Sequence, residues 1–200
     1  MDRRLGAGTD ISEFAIESGH KLDGPEDLGT WVRCITRGLP GSMIPGGYGA
    51  MYQILQTPGY VVIHLEMIHE TRTIPLDGRP HVGPHIRKWM GDPRGHWEGN
   101  TLVVETTNFT DRTSWRGSGP NLRLVERFTR VDADTIDYRF TVHDPESFTK
   151  PWTAALPMTT TPDLRVLEYA CHEGNNAPEI FLGHARIKEK AAGEAAKKKR

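Results

Sequence analysis

The fold class of this chain follows from residues 60–69, Tyr60-Val61-Val62-Ile63-His64-Leu65-Glu66-Met67-Ile68-His69. The odd positions Val61, Ile63, Leu65 and Met67 form one apolar face, whereas the even positions form a mixed one. Successive side chains of a β-strand point to opposite faces of the sheet, so this alternation is typical of a half-buried strand. The segment therefore predicts a strand with its odd residues toward the core.

Similar short runs, separated by turn residues, continue on both sides of this strand. Residues Tyr52–Gln56 lead into it, and the later runs pair as hairpins: His96-Trp97 with Thr101–Phe109, Arg123–Val131 with Thr135–His143, and Trp152–Pro157 with Leu164–His172. Roughly eight short strands with no long helix between them predict an all-β, mainly antiparallel fold. Because the strands follow in meander order, we expect a lipocalin-like up-and-down β-barrel.

The chain divides into three parts around this barrel. Residues 1–50 are rich in Gly and Pro and predict an irregular N-terminal arm that packs on the barrel. Residues 51–176 hold the strands, and residues 177–200 have the Ala, Glu and Lys content of a C-terminal helix or tail. A domain of this length can bury a stable core without a structural metal ion or disulfide bonds.

Composition and charge argue against several classes of protein. The net charge is −1 and the basic residues are spread out, whereas nucleic-acid binding needs a basic stripe. No apolar run reaches the ~18 residues of a membrane span. The opening Met1-Asp2-Arg3-Arg4 precedes no apolar stretch, so we expect a periplasmic or secreted protein if a leader was removed, and otherwise a cytoplasmic one. A homodimer is left open.

The chain has two cysteines, Cys34 and Cys171. Either they are two buried thiols or they form one long-range bridge, and their positions agree with both. The two alternatives remain open at this point.

The residues that can carry chemistry concentrate between His64 and Asn108. Five of the nine histidines lie between His64 and His96, and three of the five tryptophans lie close by: Trp89, Trp97 and Trp115. His64 and His69 do not form a zincin motif, which needs histidines at i and i+4 of a helix. On a strand their odd spacing places the rings on opposite faces unless a bulge intervenes.

Two His-x-Glu pairs are better candidates. His64 with Glu66, and His96 with Glu98, place an imidazole and a carboxylate on one face of a strand. The carboxylate stabilises the imidazolium and fixes its tautomer, which suits a general acid or base. We take His69, His96, Glu66 and His64 as candidate catalytic residues. His64, Glu66 and His96 are also the alternative ligands of a metal ion; otherwise no cofactor is expected, since nucleotide-binding motifs are absent.

Arginines and aromatic residues of the same region are candidates for substrate binding. An arginine in a pocket recognises a carboxylate or stabilises an oxyanion. Aromatic rings stack on an aromatic or sugar-like molecule. The candidates are Arg72, Arg79, His81, Trp89, Trp97 and Tyr60.

One longer pattern resembles a known group of proteins. It comprises Trp89-Met90-Gly91-Asp92-Pro93-Arg94-Gly95-His96-Trp97-Glu98-Gly99-Asn100-Thr101-Leu102-Val103-Val104, with Val125-Glu126-Arg127-Phe128 and Glu168-Tyr169-Ala170-Cys171. It resembles an uncharacterised family of bacterial proteins, common in soil organisms and often carrying a leader peptide. The resemblance covers residues 31–175 and implies no activity. It implies that Glu66, His69, Arg72 and His81 belong to the recurring pattern, and it implies export, which favours a disulfide bridge.

These residues favour a small-molecule enzyme that uses His, Glu and Arg acid–base chemistry in a barrel pocket. It would be a cofactor-independent lyase, isomerase or hydrolase acting on an aromatic or polar organic substrate. The alternatives are a lipocalin-like binding protein without catalysis and a metal-dependent enzyme with His and Glu ligands. The enzyme hypothesis predicts two imidazoles and a carboxylate in one cavity, whereas the binding hypothesis predicts an apolar interior with the histidines outside.

Overall fold

The computed structural model describes residues 22–112 and 118–198, and its regular structure is mostly antiparallel β-sheet. The start of the arm, Trp115 and the last two residues lie outside this part. The described residues form eight strands: β1 (Tyr52–Thr57), β2 (Tyr60–Leu65), β3 (Thr71–Pro75), β4 (Asp92–Glu98), β5 (Thr101–Thr107), β6 (Arg123–Arg130), β7 (Thr135–His143) and β8 (Trp152–Thr159). Helix α1 (Ala177–Lys198) follows them.

The strands form two sheets, in the orders β1-β2-β3 and β4-β5-β6-β7-β8, and every pairing is antiparallel. Within each sheet the strands pair with their neighbours in the chain, so the meander order is confirmed, as is the β-rich class with a C-terminal helix. Ladder hydrogen bonds stop between β3 and β4, although these strands lie side by side. The described ladders therefore give two adjoining sheets, without the closure of a barrel.

The predicted inward face of β2 is confirmed, since its residues 61, 63 and 65 are at most 1% exposed. The strand is shorter than predicted. After Leu65 the chain leaves the sheet at Glu66 and makes a 3-10 turn over Met67–His69. Ile68 and His69 adopt the left-handed region there, with φ of 59° and 53°. This backbone reverses the chain into β3.

Both sheets share one apolar core. Its buried members include Val61, Ile63, Leu65, Ile74, Leu102, Val104, Leu124, Phe128, Tyr138, Phe140 and Val142. β4 passes close to β3, because a Cβ on Gly95 would lie 2.7 Å from Ile74 Cγ2 and 2.8 Å from Leu76 Cδ2. A larger residue at position 95 would require the side chains of Ile74 and Leu76 to shift, so the glycine allows β4 to pack closely on them.

Two strand assignments differ from the sequence pattern. β3 is not predicted, because the charged Arg72 occupies an inward position of this short run. The predicted strand Leu164–His172 is wrong: the segment joins no ladder, and β8 pairs with β7 instead. Leu164 and Leu167 are 60% and 67% exposed. They lie an odd number of positions apart, so the segment has no single apolar face to bury.

The described part of the arm is irregular, apart from 3-10 helices at Pro25–Asp27 and Gly41–Met43. A disulfide between Cys34 and Cys171 ties it to the segment that follows β8. Of the two alternatives for the cysteines, the bridge is therefore the one present.

Helix α1 packs on the arm. Its buried residue Ala185 lies in a small apolar cluster with Leu22 and Leu28. Arg186 donates a hydrogen bond to the carbonyl of Leu22. Most other side chains of the helix are exposed, in agreement with the weak apolar face of its sequence.

A buried ion pair crosses the core from one sheet to the other. Arg72 of β3 donates from Nη1 to Glu126 Oε1 of β6 at 2.9 Å, and from Nη2 to Oε2. Tyr138 of β7 donates its hydroxyl to the same Oε1 at 2.9 Å. All three residues are at most 3% exposed. A carboxylate on one sheet is thus bonded to residues of both.

The electrostatics of this group favour the charged pair. Burial alone would lower the pKa of the Arg72 guanidinium, but the charge and hydrogen bonds of Glu126 raise it. Burial and the Glu126 charge raise the pKa of Tyr138 well above its usual value, so the phenol stays protonated and donates. Removing one partner would leave the other buried without its direct ion-pair partner, which is far costlier than the pair.

We expect Glu126→Gln to lower the free energy of unfolding by about 3–5 kcal/mol, because it removes the carboxylate with which Arg72 is paired in the core. The triple variant Arg72→Met, Glu126→Leu, Tyr138→Phe removes every polar group of the network and should regain most of that loss. Urea denaturation followed by circular dichroism measures both. A triple variant less stable than the single one would contradict this account.

Candidate functional site

The predicted catalytic residues at the end of β2 do not converge. His64, on the face opposite to the core, has Nδ1 2.9 Å from the Thr71 hydroxyl. His69 is exposed in the 3-10 turn, where its Nε2 accepts a hydrogen bond from the backbone N–H of Tyr169 at 3.0 Å. Glu66 begins that turn. The strand ends at residue 65, so the rule that an odd spacing places two side chains on opposite faces does not apply to His64 and His69. Each ring contacts a polar partner of its own.

The second His-x-Glu pair comes together, but on the surface. His96 Nε2 lies 3.2 Å from Glu98 Oε1, and the His96 side chain is 63% exposed. Arg127 donates to Glu98 Oε2 at 2.7 Å, and Arg127 and then His96 lower the pKa of that carboxyl. Trp97 is 47% exposed, whereas Trp89 lies apart, half-buried in a turn. This group is an exposed ion-pair cluster on a sheet.

The two predicted anion-binding arginines already have carboxylate partners. Arg79 donates from Nε to Asp77 Oδ2 at 2.7 Å and from Nη2 to the Tyr60 hydroxyl at 3.1 Å. Hydrogen bonds from Arg79 lower the pKa of Asp77 to about 2. Arg72 is paired with Glu126 in the core. Each arginine would have to release a carboxylate before binding an anionic substrate.

The predicted residue His81 belongs to a dense polar site around Asp92, which is 1% exposed at the start of β4. The Asp92 carboxylate accepts from Lys88 Nζ at 2.7 Å and from the Val82 N–H at 3.1 Å. It also pairs with Arg94 Nη2 at 2.9 Å and with His81 Nδ1 at 3.2 Å. Burial alone would raise the pKa of Asp92, but Lys88, Val82 and His81 lower it to about 2. Asp92 was not among the predicted site residues; the basic residues Lys88 and Arg94 on both sides of it in the sequence were the signal that could have indicated it.

His81 lies between two carboxylates. Its Nδ1 faces Asp92, and its Nε2 lies 3.5 Å from Glu105 Oε1. The side chain is 26% exposed, so part of the ring reaches solvent. A carboxylate on one ring nitrogen orients an imidazole for proton transfer through the other. The loop is further fixed by Asn108, whose amide donates to the carbonyls of Val82, Gly83 and Ile86.

A cavity of about 900 Å³ lies between the free edges of β1 and β8, and we call it the edge cavity. Its walls come from residues 50–54, 133–136, 156–162 and 164–166, together with Met43, Pro45 and Arg130. Apolar side chains dominate: Met43, Met51, Ile54, Ile136, Leu156, Met158, Leu164 and Val166. The charged residues on its lining are Arg130, Asp134 and Arg165, and the described lining holds no His, Cys or Glu.

A second cavity, of about 480 Å³, lies beside the disulfide. Trp31, Tyr48 and Tyr169 line it, with ring centroids 6.3 Å apart for the first pair and 6.1 Å for the second. The Arg37 guanidinium lies 4.8 Å from the Trp31 ring centroid, and burial lowers its pKa. These rings pack on one another and on the Arg37 guanidinium. Aromatic contacts between the arm and residues 169–171 therefore form the wall of this cavity.

The candidate residues lie apart from the edge cavity, and the alternative metal ligands do not form a cluster among the described residues. None of the candidate catalytic or substrate-binding residues lines the edge cavity. Within residues 22–112 and 118–198, no three His, Cys, Asp or Glu side chains gather closely enough to hold a metal ion. None of the described helices has the length and apolar character of a membrane span.

Comparisons with protein families, with curated proteins and with solved structures found no match to this chain.

We expect Asp92 to make stability depend on acid pH. Its pKa is about 2 in the folded chain against 3.8 without the fold, so the stabilisation is fully present above about pH 4 and is lost as the pH falls toward 2. The difference corresponds to roughly 2 kcal/mol. Asp92→Asn should abolish that part of the pH dependence, measured by urea denaturation across this range.

The matched control is Asp111→Asn, at an exposed position. It should leave the acid dependence of the unfolding free energy unchanged. An Asp92→Asn protein with the same acid dependence as the parent would contradict the assignment.

Proposed function

We propose that this protein binds a small, largely apolar molecule in the edge cavity, as a lipocalin-like carrier does. The observation that supports it is the cavity itself: about 900 Å³, with a mainly apolar lining and exposed to the outside between two strand edges. Ligand pockets typically have ~300–1,000 Å³ and apolar walls with a few polar groups. The volume suits a molecule of drug or lipid size.

The barrel is part of the same proposal. The two sheets are adjacent at β3 and β4, and they share one core. At the other side, the edges of β1 and β8 both line the cavity. We propose an interrupted, lipocalin-like barrel whose opening between these two strands is the binding site, and whose ligand covers the apolar side chains left there.

The character of the lining favours binding over catalysis. Its titratable groups are two arginines, one aspartate and Tyr52. The histidines are distributed elsewhere, which is the arrangement that the binding hypothesis predicts. The disulfide further supports an extracytoplasmic location, where such bonds persist. The likeness to the uncharacterised bacterial family stays a proposal and adds no activity.

We expect the protein to bind N-phenyl-1-naphthylamine, a neutral apolar fluorophore, with one site per chain and a blue-shifted emission. Ile54→Glu should weaken this binding at least about tenfold, because it places a carboxylate on the apolar wall. Fluorescence titration gives the affinity, and calorimetry gives the stoichiometry. Ile54 is 37% exposed, so the change spares the core.

Ile187→Glu on α1 is the matched control, since Ile187 is 66% exposed and outside the cavity lining. It should bind the fluorophore like the parent protein. Equal binding by the Ile54→Glu and Ile187→Glu proteins would show that the fluorophore binds elsewhere and would contradict the proposed site.

Acid–base catalysis is a second proposal, supported by the geometry of His81 rather than by a cavity. The buried Asp92 carboxylate holds its Nδ1, and Lys88 and Arg94 add positive charge around the same carboxylate. Release of Glu105 from Nε2 would free that nitrogen for a substrate. A lyase, isomerase or hydrolase would use His81 as its base in this arrangement, with Asp92 as the orienting group.

For this second proposal we expect hydrolysis of 4-nitrophenyl acetate to fall by roughly 100-fold in His81→Gln, since a positioned base contributes at least that much. His85→Gln, at an exposed position of the same loop, is the control. A loss in His69→Gln or His96→Gln would support the residues chosen from sequence instead. Equal rates in all four variants would end the acid–base proposal.

A further inference from the structure

The edge cavity carries an excess of positive charge. Two arginines and one aspartate lie on its lining, so its formal charge is +1. The described lining has no second acid to balance it. A wholly neutral apolar ligand would form no ion pair with this positive charge, whereas an anionic group would be attracted to it.

Two of the three charged side chains are already engaged. Arg130 donates from Nε and Nη2 to the carbonyls of Asp132 and Ala133, in the turn between β6 and β7. Asp134 Oδ1 accepts a hydrogen bond from the Thr160 hydroxyl at 3.1 Å. These contacts fix the rim of the cavity and occupy both groups.

Arg165 is different, because its guanidinium has no hydrogen-bond or ion-pair partner among the described residues. Its neighbours Leu164 and Val166 line the same cavity. A hydrogen bond from the Leu164 N–H to the Thr161 carbonyl at 3.0 Å closes the turn that leads to it. The chain therefore places an unpaired cation beside apolar residues at the cavity's outer wall.

From this arrangement we infer that the ligand is an amphiphilic carboxylate: an apolar body lies against Ile54, Leu156 and Met158, and its carboxylate pairs with Arg165. This inference rests on the proposed binding function. A guanidinium binds a carboxylate through paired N–H donors, so the contact fixes the direction of the ligand in the cavity. The head group stays near solvent, and its desolvation cost is small compared with that of a buried ion pair.

The test compares two fluorophores that share one aromatic body. 1-Anilinonaphthalene-8-sulfonate carries an anionic group, whereas N-phenyl-1-naphthylamine is neutral. We expect Arg165→Gln to weaken binding of the sulfonate by about threefold to fivefold, the effect of one exposed ion pair, and to leave the neutral probe unchanged. Decanoate should displace the sulfonate from the parent protein and do so less well from Arg165→Gln.

Arg112→Gln is the control for overall charge, because Arg112 is exposed and outside the cavity lining. It should bind both probes like the parent, and Arg165→Lys should retain most of the affinity for the sulfonate. If Arg165→Gln and Arg112→Gln bind the sulfonate equally while the neutral probe still binds, the inference is overturned and the proposed function survives. If the parent protein does not bind the neutral probe, the proposed function itself is overturned.

Discussion

The bond between Arg72 and Glu126 is the polar contact that joins the two sheets across their common core. No ladder hydrogen bonds connect β3 with β4, so the relative position of the sheets depends on side chains. Apolar packing has no direction, whereas a guanidinium and a carboxylate meet in a fixed geometry. The Tyr138 hydroxyl donates a hydrogen bond to the same side chain of Glu126, at Oε1, and restricts the geometry of the pair further. The pair therefore fixes the distance and orientation of β3 relative to β6 at this point of the core.

The dependence on contacts between distant residues also explains which strands could be predicted from the sequence. The alternation in residues 60–65 predicted β2 and its buried face, because a half-buried strand needs only local side-chain order. The hairpins around residues 99 and 133 follow the same logic. β3 was missed because an inward arginine breaks the apolar alternation, and its partner Glu126 lies 54 positions away. The strand predicted at residues 164–172 had β-forming residues, but Leu164 and Leu167 would fall on opposite faces, so it had no single apolar face to bury.

The candidate site was harder to predict, for a related reason. Histidines close in sequence were expected to converge, but each found its own partner: Thr71, Tyr169, Glu98 or Asp92. The edge cavity is built instead from three separate segments around residues 52, 134 and 160. None of them carries a catalytic motif. Which arginine of the cavity lining remains without a partner depends on contacts made only in the folded chain, so the sequence alone could not predict it.

The disulfide has a consequence for damage by proteases. Cys34 and Cys171 are 137 positions apart, and all eight described strands lie between them. The exposed turn at residues 132–134 lies inside this covalent ring. A single cut there would yield two fragments that remain attached, with both sheets still paired and the core still covered. Such a nicked molecule would run as one chain on a gel until a reductant separated its halves.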